Sequence, residues 1–588
     1  MSRGVVGNEI SIIVIAFDGD IEHILNGFAM QMKRAQVEWL ALIHIRGFPL
    51  FLYFSKRQFV MAQKRVEKPK TSLIDGDIHI ILLIFGKDIK SVCKIISYPK
   101  KYCQNTISYE WIFHTGSIFL QKKTIAMNRF RNITELMFGK LQPFEWKTRQ
   151  GSAINYRQTV PKPCLPDGFT DSRAYLRHLV FQKARKKFGK DLPVSVRERI
   201  EQELAVITIK DGWADHFVNI RHAMIEARET ISGCLTLLYS STPCSFVSHL
   251  LGLTHTNPLK YGLPFETFFN VSTRRIPDVC IIVDDESKNN FISMLKEWYG
   301  DKMSSVIVTM KNNQEVVSNC FWAFSREDMP TIMPMRKIQD PKTGMVHICP
   351  DFANHEDIQT NGGTFLHILS MSNVSLLTQL LDLIGIPNPD KFDFLSSIPL
   401  DDVNTLNSFY DRSDGNVPYV PAIGKLKSRS ISELSVMDVL SRPILDVNIS
   451  EYIRRRNSRS TIDYPIPEMA DVLEETKGLI VYKEQIFLLA RQITGMEGKE
   501  TAKMLSAFRF NDSERLRSYY LPRFLDGGRE KGYSADLLEE IFMSFWHYGN
   551  YTLGKGQQIE KTIHKYQIAY LKTHYPKEYQ LVKDAEMS

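Results

Sequence analysis

The sequence predicts a multidomain α/β protein, and three observations indicate this class. Apolar runs of strand length, such as Ile10–Phe17 and Ile78–Phe85, alternate with amphipathic stretches in the N-terminal part. From Ala470 to the end, the spacing of the apolar residues is almost wholly helical. The length of 588 residues suggests about four domains at roughly 150 residues each.

Composition excludes several classes of protein. Hydrophobic residues make up 43% and charged residues 24% of the chain, unlike a disordered tail, a collagen or a small disulfide scaffold. No apolar run reaches the roughly 18 residues of a membrane span, and the eight cysteines form no Cys-x-x-Cys pair. We therefore expect a cytoplasmic protein without a membrane partner. The 74 Lys and Arg against 66 Asp and Glu permit a polyanionic partner without requiring one.

The first 115 residues are expected to hold buried parallel strands with helices such as His23–Arg34 between them. A Pro-rich connector, Pro161–Pro166, then marks the clearest domain boundary. After it, Asp171 offers an N-cap to a helix whose polar face is basic. The predicted N-terminal strands are Ile10–Phe17, Trp39–Ile45, Pro49–Phe54 and Ile78–Phe85.

Further along, residues 197–228 show a helical pattern. Val279–Val283 is a compact apolar run between acidic residues, which predicts a buried strand. Lys337–Asp351 contains Asp-Pro-Lys-Thr-Gly at its centre, which is typical of a hairpin. The helical C-terminal region begins after Tyr464–Pro467.

Six segments carry motifs in a fixed order. They are Gly168–Gly189, Arg199–Phe217, Gly252–Asn270, Ser397–Asp402, Tyr464–Gln485 and Gln567–Glu578. Together they resemble the α subunit of bacterial DNA polymerase III, a C-family replicative polymerase. The resemblance implies a palm built from residues 165–310 and 409–455, a thumb over 311–408, and fingers over 456–588.

The N-terminal resemblance rests on Ile78–Ser97, which is similar to a strand–helix unit of the family's polymerase-and-histidinol-phosphatase (PHP) domain. The metal site of that domain needs a His-x-His start and further His and Asp ligands. No His-x-His occurs in this part of the chain, where the histidines stand alone. We therefore predict a degenerate PHP-like α/β domain over residues 1–164, without a metal.

The resemblance also implies where polymerase chemistry would be carried out. Nucleotidyl transfer uses two Mg²⁺ ions about 4 Å apart, held by carboxylates. The family supplies two of them from a strand motif, Pro-Asp-x-Asp-x-Asp, because side chains at i and i+2 share a face. In this sequence Cys280 and Ile282 occupy those two positions, and Ser450 aligns with the third carboxylate. The metal-binding carboxylates are thus predicted to be lost.

Other acids lie near these positions in the sequence, and the resemblance also indicates where phosphate and nucleotide would bind. Asp278 and Glu451 are the acids closest in sequence to the vestigial positions, and Asp284 and Asp285 follow the strand. The glycine-rich phosphate cradle of the family is replaced by the segment 236–241, which contains no glycine. The positions aligned with nucleotide binding in the fingers are Arg509 and Lys555.

These departures predict a pseudoenzyme of DNA replication or repair that binds DNA, although the activity of the family is DNA-directed DNA polymerase, a nucleotidyltransferase. Expected partners are the primer–template duplex and other replication proteins. Two alternatives stay open. One is a divergent template-directed polymerase that uses displaced acids and Mg²⁺; otherwise no cofactor is expected. The other is a protein-binding scaffold without DNA contact. The predicted DNA-binding residues are Lys183, Arg185, Lys186, Lys187, Arg454, Arg455, Arg456 and Arg459.

Overall fold

In the computed structural model the chain divides into two compact units, Met1–Thr124 and Ile125–Ser588. Of the first unit, the structure describes the backbone of five strands. Of the second, it describes residues 136–141, 157–269, 273, 275–277, 279–309, 315–339, 344–351, 355–409, 427–442, 444–458 and 461–587.

The strands of the first unit confirm the apolar runs, but the runs Pro49–Phe54 and Ile78–Phe85, predicted as parallel strands, form antiparallel pairs. Strands β1 and β2 are parallel, as predicted. Strands β2 and β3 are antiparallel, because the two residues between them allow a hairpin and are too few for a crossover. The predicted helix His23–Arg34 lies outside the described residues. The five strands are β1 Ile12–Ala16, β2 Trp39–Ile45, β3 Phe48–Phe54, β4 Asp77–Leu82 and β5 Lys94–Pro99.

The predicted strand–helix unit over Ile78–Ser97 is described only at its two ends. Both ends are strands, and β4 and β5 pair antiparallel. Lys94, Ile95, Ile96 and Ser97 thus belong to a strand that the family resemblance did not predict. A degenerate PHP-like domain in this unit stays a prediction.

A mixed five-stranded sheet organises the second unit. Its strand order is β6-β7-β12-β9-β8, with β7 antiparallel to β6 and parallel to β12. The predicted strand Val279–Val283 is confirmed as β7, and the predicted hairpin is confirmed as β10 and β11. The strands are β6 Thr236–Tyr239, β7 Val279–Val283, β8 Met303–Thr309, β9 Glu315–Phe324, β10 Met335–Gln339, β11 Val346–Pro350 and β12 Thr364–Ser370.

This sheet crosses the predicted boundary between palm and thumb. Strands β9 and β12 both come from the segment 311–408 that was predicted as the thumb, and β12 pairs directly with β7. Residues 427–442 and 444–458, from the second predicted palm segment, supply helices and no strand. Strand β12 reads Thr-Phe-Leu-His-Ile-Leu-Ser, with apolar residues at consecutive positions and so on both faces, which suits a strand covered on both sides. The names palm and thumb for these segments stay predictions.

The helices follow the predicted pattern with one interruption. The first begins after Asp171, whose carboxylate accepts a hydrogen bond from the Ala174 backbone N at 3.2 Å, as the N-cap prediction requires. The helical region 197–228 is two helices, which separate at Gly212 with φ 75°. None of the described helices is long and apolar enough to cross a membrane.

The helices of the described residues number α1 to α20 in chain order, with a π-helical turn at Leu516–Tyr520 between α16 and α17. They are α1 Ser172–Phe188, α2 Val194–Ile209, α3 Trp213–Thr230, α4 Phe246–Leu250, α5 Lys288–Tyr299, α6 Met329–Ile332, α7 His355–Thr360, α8 Ser372–Ile384, α9 Lys391–Ser397, α10 Val403–Ser408, α11 Ile431–Leu440, α12 Ile449–Asn457, α13 Glu468–Leu473, α14 Lys483–Thr494, α15 Gly498–Phe510, α16 Ser513–Arg515, α17 Leu521–Glu530, α18 Ala535–Tyr548, α19 Lys555–His574 and α20 Pro576–Met587.

Two hydrophobic clusters lie on the two faces of the sheet. Val279, Ile281 and Val283 of β7 belong to one cluster, together with residues of α1, α2 and α3. Ile282 belongs to the other, with Cys280 packed against it and with residues of the C-terminal helices. Alternation along β7 therefore places positions 280 and 282 on one face, as the sequence predicted.

The segment before the Pro-rich connector belongs with the second unit. Thr159 N donates to Gly362 O at 3.0 Å, and Thr364 Oγ1 donates to Thr159 O at 2.8 Å. Asn219 Nδ2 donates to Pro161 O at 2.8 Å. These bonds anchor the segment to the large sheet and to α3, so the boundary between the compact units precedes the predicted boundary at 164.

Candidate functional site

The candidate site is the face of the sheet that carries Cys280 and Ile282. On either side of β7, strands β6 and β12 present side chains in direct register with these two residues. Directly paired residues point to the same face of a sheet. The resulting patch, called the sheet face below, consists of Leu237 and Tyr239 of β6, Cys280 and Ile282 of β7, and His367 and Leu369 of β12.

None of these six positions carries a carboxylate. Ile282 is 1% exposed and packs among the C-terminal helices. Burial raises the pKa of the Cys280 thiol to about 12, with a smaller contribution from Cys320, so the thiolate form that binds metals is strongly disfavoured. The sheet face therefore offers no oxygen ligand set of the kind that Mg²⁺ requires.

The assignment of Ser450 as the third position stays a prediction. Ser450 is exposed near the start of α12, outside the sheet. The residue that the sheet places beside Cys280 on β12 is His367, whose ring lies edge-on to Phe321 at 4.6 Å between centroids. Sequence reasoning missed this position because β12 lies in the predicted thumb.

The acids that follow β7 stabilise local structure. Asp284 is buried, and its carboxylate accepts hydrogen bonds from Ser287 N at 2.8 Å and Leu235 N at 3.4 Å. Asp285 accepts a hydrogen bond from Ser375 Oγ at 2.9 Å. Asp278 lies outside the described residues. In the described structure, the displaced acids thus act as caps and connectors.

Two acids of the helices α11 and α12 are paired with cations. Hydrogen bonds from Arg454 and Arg455 hold the pKa of Glu451 at about 2, although partial burial opposes this shift. The side chain of Asp438 on α11, which sequence reasoning missed, is 8% exposed and lies 2.7 Å from the Lys565 ammonium. Both carboxylates thus already have cationic partners within the protein.

The segment 236–241, which aligns with the phosphate cradle, contains one residue in the left-handed backbone region. Ser240 has φ 72°, a conformation in which glycine is favoured and serine is strained. The Lys483 ammonium lies 3.3 Å from Ser241 Oγ, which places one cation beside this turn. Lys483 belongs to the Tyr-Lys-Glu-Gln motif of the fingers match, and that motif is the signal by which it could have been found.

The two predicted nucleotide-binding residues lie in different surroundings. The Lys555 ammonium is 2.6 Å from Glu475 and donates to Tyr261 O at 2.8 Å, and its side chain is 12% exposed. Arg509 is exposed near the end of α15 and lies over the ring of Phe510. Lys555 therefore fixes the start of α19, and only Arg509 is free to reach an external ligand.

The basic helix α1 faces solvent along a groove. Its cation Arg177 forms two bonds to Glu201 of α2, at 2.5 and 2.7 Å. The groove has a volume of about 480 Å³. We call it the basic groove, and its lining includes Arg177, His178, Phe181, Arg185, Lys190, Arg197 and Glu201.

The predicted DNA-binding residues of this region differ in availability. Arg185 and Lys186 are exposed and, among the described residues, form no ion pair. Lys183 is half-buried, and burial is the first cause of its lowered pKa. Lys187 is exposed but donates to His249 Nε2 at 2.7 Å. Arg185 and Lys186 are thus the most available cations of the four.

The arginine run at the end of α12 is largely internal. Arg455 is bonded to Glu451 and to the Leu136 and Lys477 carbonyls. Arg456 is bonded to Glu433 at 3.1 Å. The side chains of Arg455 and Arg456 are 8% and 11% exposed, whereas that of Arg454 is 67% exposed. Arg459 lies outside the described residues.

Comparison with known families identifies the origin of this fold. Residues 174–318 match the model of the bacterial DNA polymerase III alpha NTPase domain, and residues 373–532 match that of the bacterial DNA polymerase III alpha subunit finger domain. The chain is a divergent, partial homologue of the α subunit of bacterial DNA polymerase III. The resemblance stated from the motifs is thereby confirmed.

Relatives among curated α subunits are similar at a low level of identity. DNA polymerase III subunit alpha of Staphylococcus epidermidis is 24% identical over 520 residues, which cover 76% of this chain and 47% of the relative. DNA polymerase III subunit alpha of Bacillus subtilis is 24% identical over 491 residues, which cover 71% of this chain and 43% of the relative. DNA polymerase III subunit alpha of Borreliella burgdorferi is 24% identical over 552 residues, which cover 81% of this chain and 47% of the relative. The chain spans about half the length of the curated α subunits it matches.

The domain matches do not coincide with the predicted domain limits. The finger-domain match begins at residue 373, whereas sequence reasoning placed the start of the fingers at 456. Strand β12 ends at Ser370, immediately before this match. The limits of palm, thumb and fingers in this α-subunit homologue stay predictions.

Proposed function

We propose that this α-subunit homologue acts in DNA replication or repair as a DNA-binding protein without polymerase activity. The observation that carries the proposal is the composition of the sheet face, which presents Tyr239, Cys280, His367 and apolar side chains where two-metal chemistry needs carboxylates. In this proposal it works in the cytoplasm beside other replication proteins.

A single substitution on the sheet face is not expected to restore a metal-binding carboxylate. Ile282→Asp would place a carboxylate at a position that is 1% exposed, among apolar side chains. An unpaired buried charge of this kind costs several kcal/mol. Position 282 is thus part of the hydrophobic core, which supports loss of the metal site.

DNA binding is supported by the basic groove and the exposed cations beside it. Arg185, Lys186 and Lys190 are exposed and unpaired among the described residues. Cations of this kind bind phosphates with release of counterions and without sequence preference. A primer–template duplex would contact this surface, and exposed Arg454 could add one contact.

The polymerase question is tested by incorporation of a single nucleotide on a labelled primer–template, with Mg²⁺ and with Mn²⁺. We expect no extension by the purified protein. The comparison protein carries Asp278→Ala, Asp284→Ala and Asp285→Ala, and its thermal unfolding is checked to confirm that it folds. Extension by the unmodified protein that disappears in this variant would establish the alternative of a divergent polymerase with displaced acids.

DNA binding is tested by fluorescence anisotropy with the same duplex. We expect affinity at about 50 mM salt that falls steeply towards about 200 mM, equally for unrelated sequences. No binding at the lower salt concentration would favour the protein-binding scaffold instead. The two assays are independent, so either half of the proposal can fail alone.

A further inference from the structure

Three buried side chains from distant parts of the chain meet beside the sheet face. His255 follows α4, and Glu560 and His564 lie four residues apart on α19, so that they share one face of the helix. Their side chains are 2%, 0% and 1% exposed, respectively. Tyr239 of the sheet face contacts this cluster through its hydroxyl, 3.1 Å from His564 Nδ1.

The donor atoms form a nearly equilateral triangle. His255 Nδ1 and His564 Nε2 are 3.2 Å apart, His564 Nε2 and Glu560 Oε1 are 3.3 Å apart, and His255 Nδ1 and Glu560 Oε1 are 3.6 Å apart. Ligands of a tetrahedral zinc ion at about 2.0–2.1 Å are separated by about 3.3 Å. The triangle therefore already has the dimensions of one face of a zinc coordination tetrahedron.

Surrounding contacts fix the orientation of all three side chains. Glu560 accepts hydrogen bonds from His255 N at 2.8 Å and from Thr256 N at 2.7 Å. His255 stacks on the ring of Phe392 at 4.3 Å. Tyr239 can accept the outer N–H of His564, which is the contact that usually orients a metal-binding imidazole.

The protonation states suit a cation. Burial lowers the pKa of His255, which keeps its ring neutral and leaves a nitrogen lone pair for a ligand. Desolvation opposes ionisation of Glu560, but hydrogen bonds from the two histidines outweigh it and hold the pKa of this carboxyl well below its usual value. Neutral imidazole nitrogens and carboxylate oxygens are both donors that Zn²⁺ takes in proteins.

We propose that His255, Glu560 and His564 bind one Zn²⁺ ion, with water as the fourth ligand, and that the ion ties α19 to the turn after α4. Zinc is favoured over Mg²⁺ because two of the three donors are imidazole nitrogens. Binding needs lone pairs on His255 Nδ1 and His564 Nε2. A neutral ring supplies such a lone pair when its N–H is on the outer ring nitrogen.

The test uses the full-length protein, stripped with a chelator and titrated with ZnCl₂ by calorimetry, with MgCl₂ as the comparison. We expect one zinc ion per chain, a higher unfolding temperature with zinc, and little response to Mg²⁺. Glu560→Gln and His564→Gln should each weaken zinc binding at least about 100-fold, since each removes a direct ligand. Tyr239→Phe should weaken it by about 10- to 100-fold. His222→Gln, at an exposed histidine of α3, is the matched control and should leave zinc binding unchanged.

The proposal is overturned if the protein takes up no zinc, if Glu560→Gln and His564→Gln bind as the unmodified protein does, or if Mg²⁺ binds equally well. Should the ligand variants fail to fold, the unmodified protein loaded with Co²⁺ decides. Visible bands of a four-coordinate ion would support the site, and bands of a six-coordinate ion would contradict it. None of these measurements involves DNA, so the outcome is independent of the proposed function.

Discussion

Two basic regions of this molecule carry similar charge in sequence and have different roles in the structure. The run Arg454–Arg456 places two of its three guanidinium groups inside the protein, against Glu451 and Glu433. The helix α1 leaves Arg185 and Lys186 in solvent. A run of positive residues therefore predicts a nucleic-acid surface only where the fold supplies no acids to pair with it.

The location of the acids accounts for the difference. Glu451 lies three and four residues before Arg454 and Arg455 on the same helix, which is the spacing that brings side chains together. Helix α1 has no acid in its first turn and three cations in its last. The acid that pairs with a cation of α1 lies on another helix: Glu201 of α2 pairs with Arg177.

The largest effect is expected from Arg455→Met. This change removes a nearly buried guanidinium that bonds Glu451 and two backbone carbonyls, and it leaves the carbonyls of Leu136 and Lys477 without that partner. We expect the free energy of unfolding to fall by about 3 kcal/mol, measured by urea denaturation. Arg454→Met is the matched control and should lower stability by no more than about 0.5 kcal/mol, because Arg454 is exposed and solvent screens its pair with Glu451. Equal losses of stability in the two variants would mean that the burial of Arg455 does not set it apart from Arg454.

DNA affinity should depend on the exposed cations of the other basic region, at the end of α1 and just after it. The triple change Arg185→Gln, Lys186→Gln and Lys190→Gln is expected to weaken duplex binding by about tenfold or more at about 50 mM salt, and to reduce the salt slope by about three. Stability should be unaffected. Replacing three other exposed lysines, Lys499, Lys503 and Lys577, keeps the net charge equal. If this control loses as much affinity, the basic groove is not the binding surface.

A smaller effect is expected on acid stability. The pKa of Glu451 falls from 4.5 unfolded to about 2 folded, so its stabilisation is fully present above pH 4.5 and is lost as the pH falls towards 2. Allowing for solvent screening, we expect about 1 kcal/mol from this group. Unfolding measured across this range in Glu451→Gln should show a correspondingly weaker dependence on pH. An unchanged dependence would mean that the pair with the two arginines does not stabilise the fold.

The smallest effect is expected from Arg177→Met, which breaks an exposed pair of the same chemical type. Arg177 and Glu201 are half-exposed, with side-chain exposures of 51% and 45%. We expect a loss of about 0.5 kcal/mol at low salt that vanishes at high salt. A loss as large as that of Arg455→Met would show that burial does not set the difference between the two regions.

Much of the local structure was predictable from the sequence, because it depends on neighbouring residues. The cap at Asp171 and the strand β7 follow from side chains within a few positions. The shared face of Cys280 and Ile282 follows from the period of a strand. The six ordered motifs were enough to identify the family, which the two domain matches confirm.

The sequence by itself determined that β7 exists and that its two aligned positions carry no carboxylate. The tertiary structure decided what surrounds them. The sheet brings His367 beside Cys280, and the pairing of Arg456 with Glu433 makes a predicted DNA contact internal. His255 meets Glu560 and His564 across about 300 residues of chain. Contacts at such separations depend on how helices and strands pack, and no local spacing in the sequence encodes them.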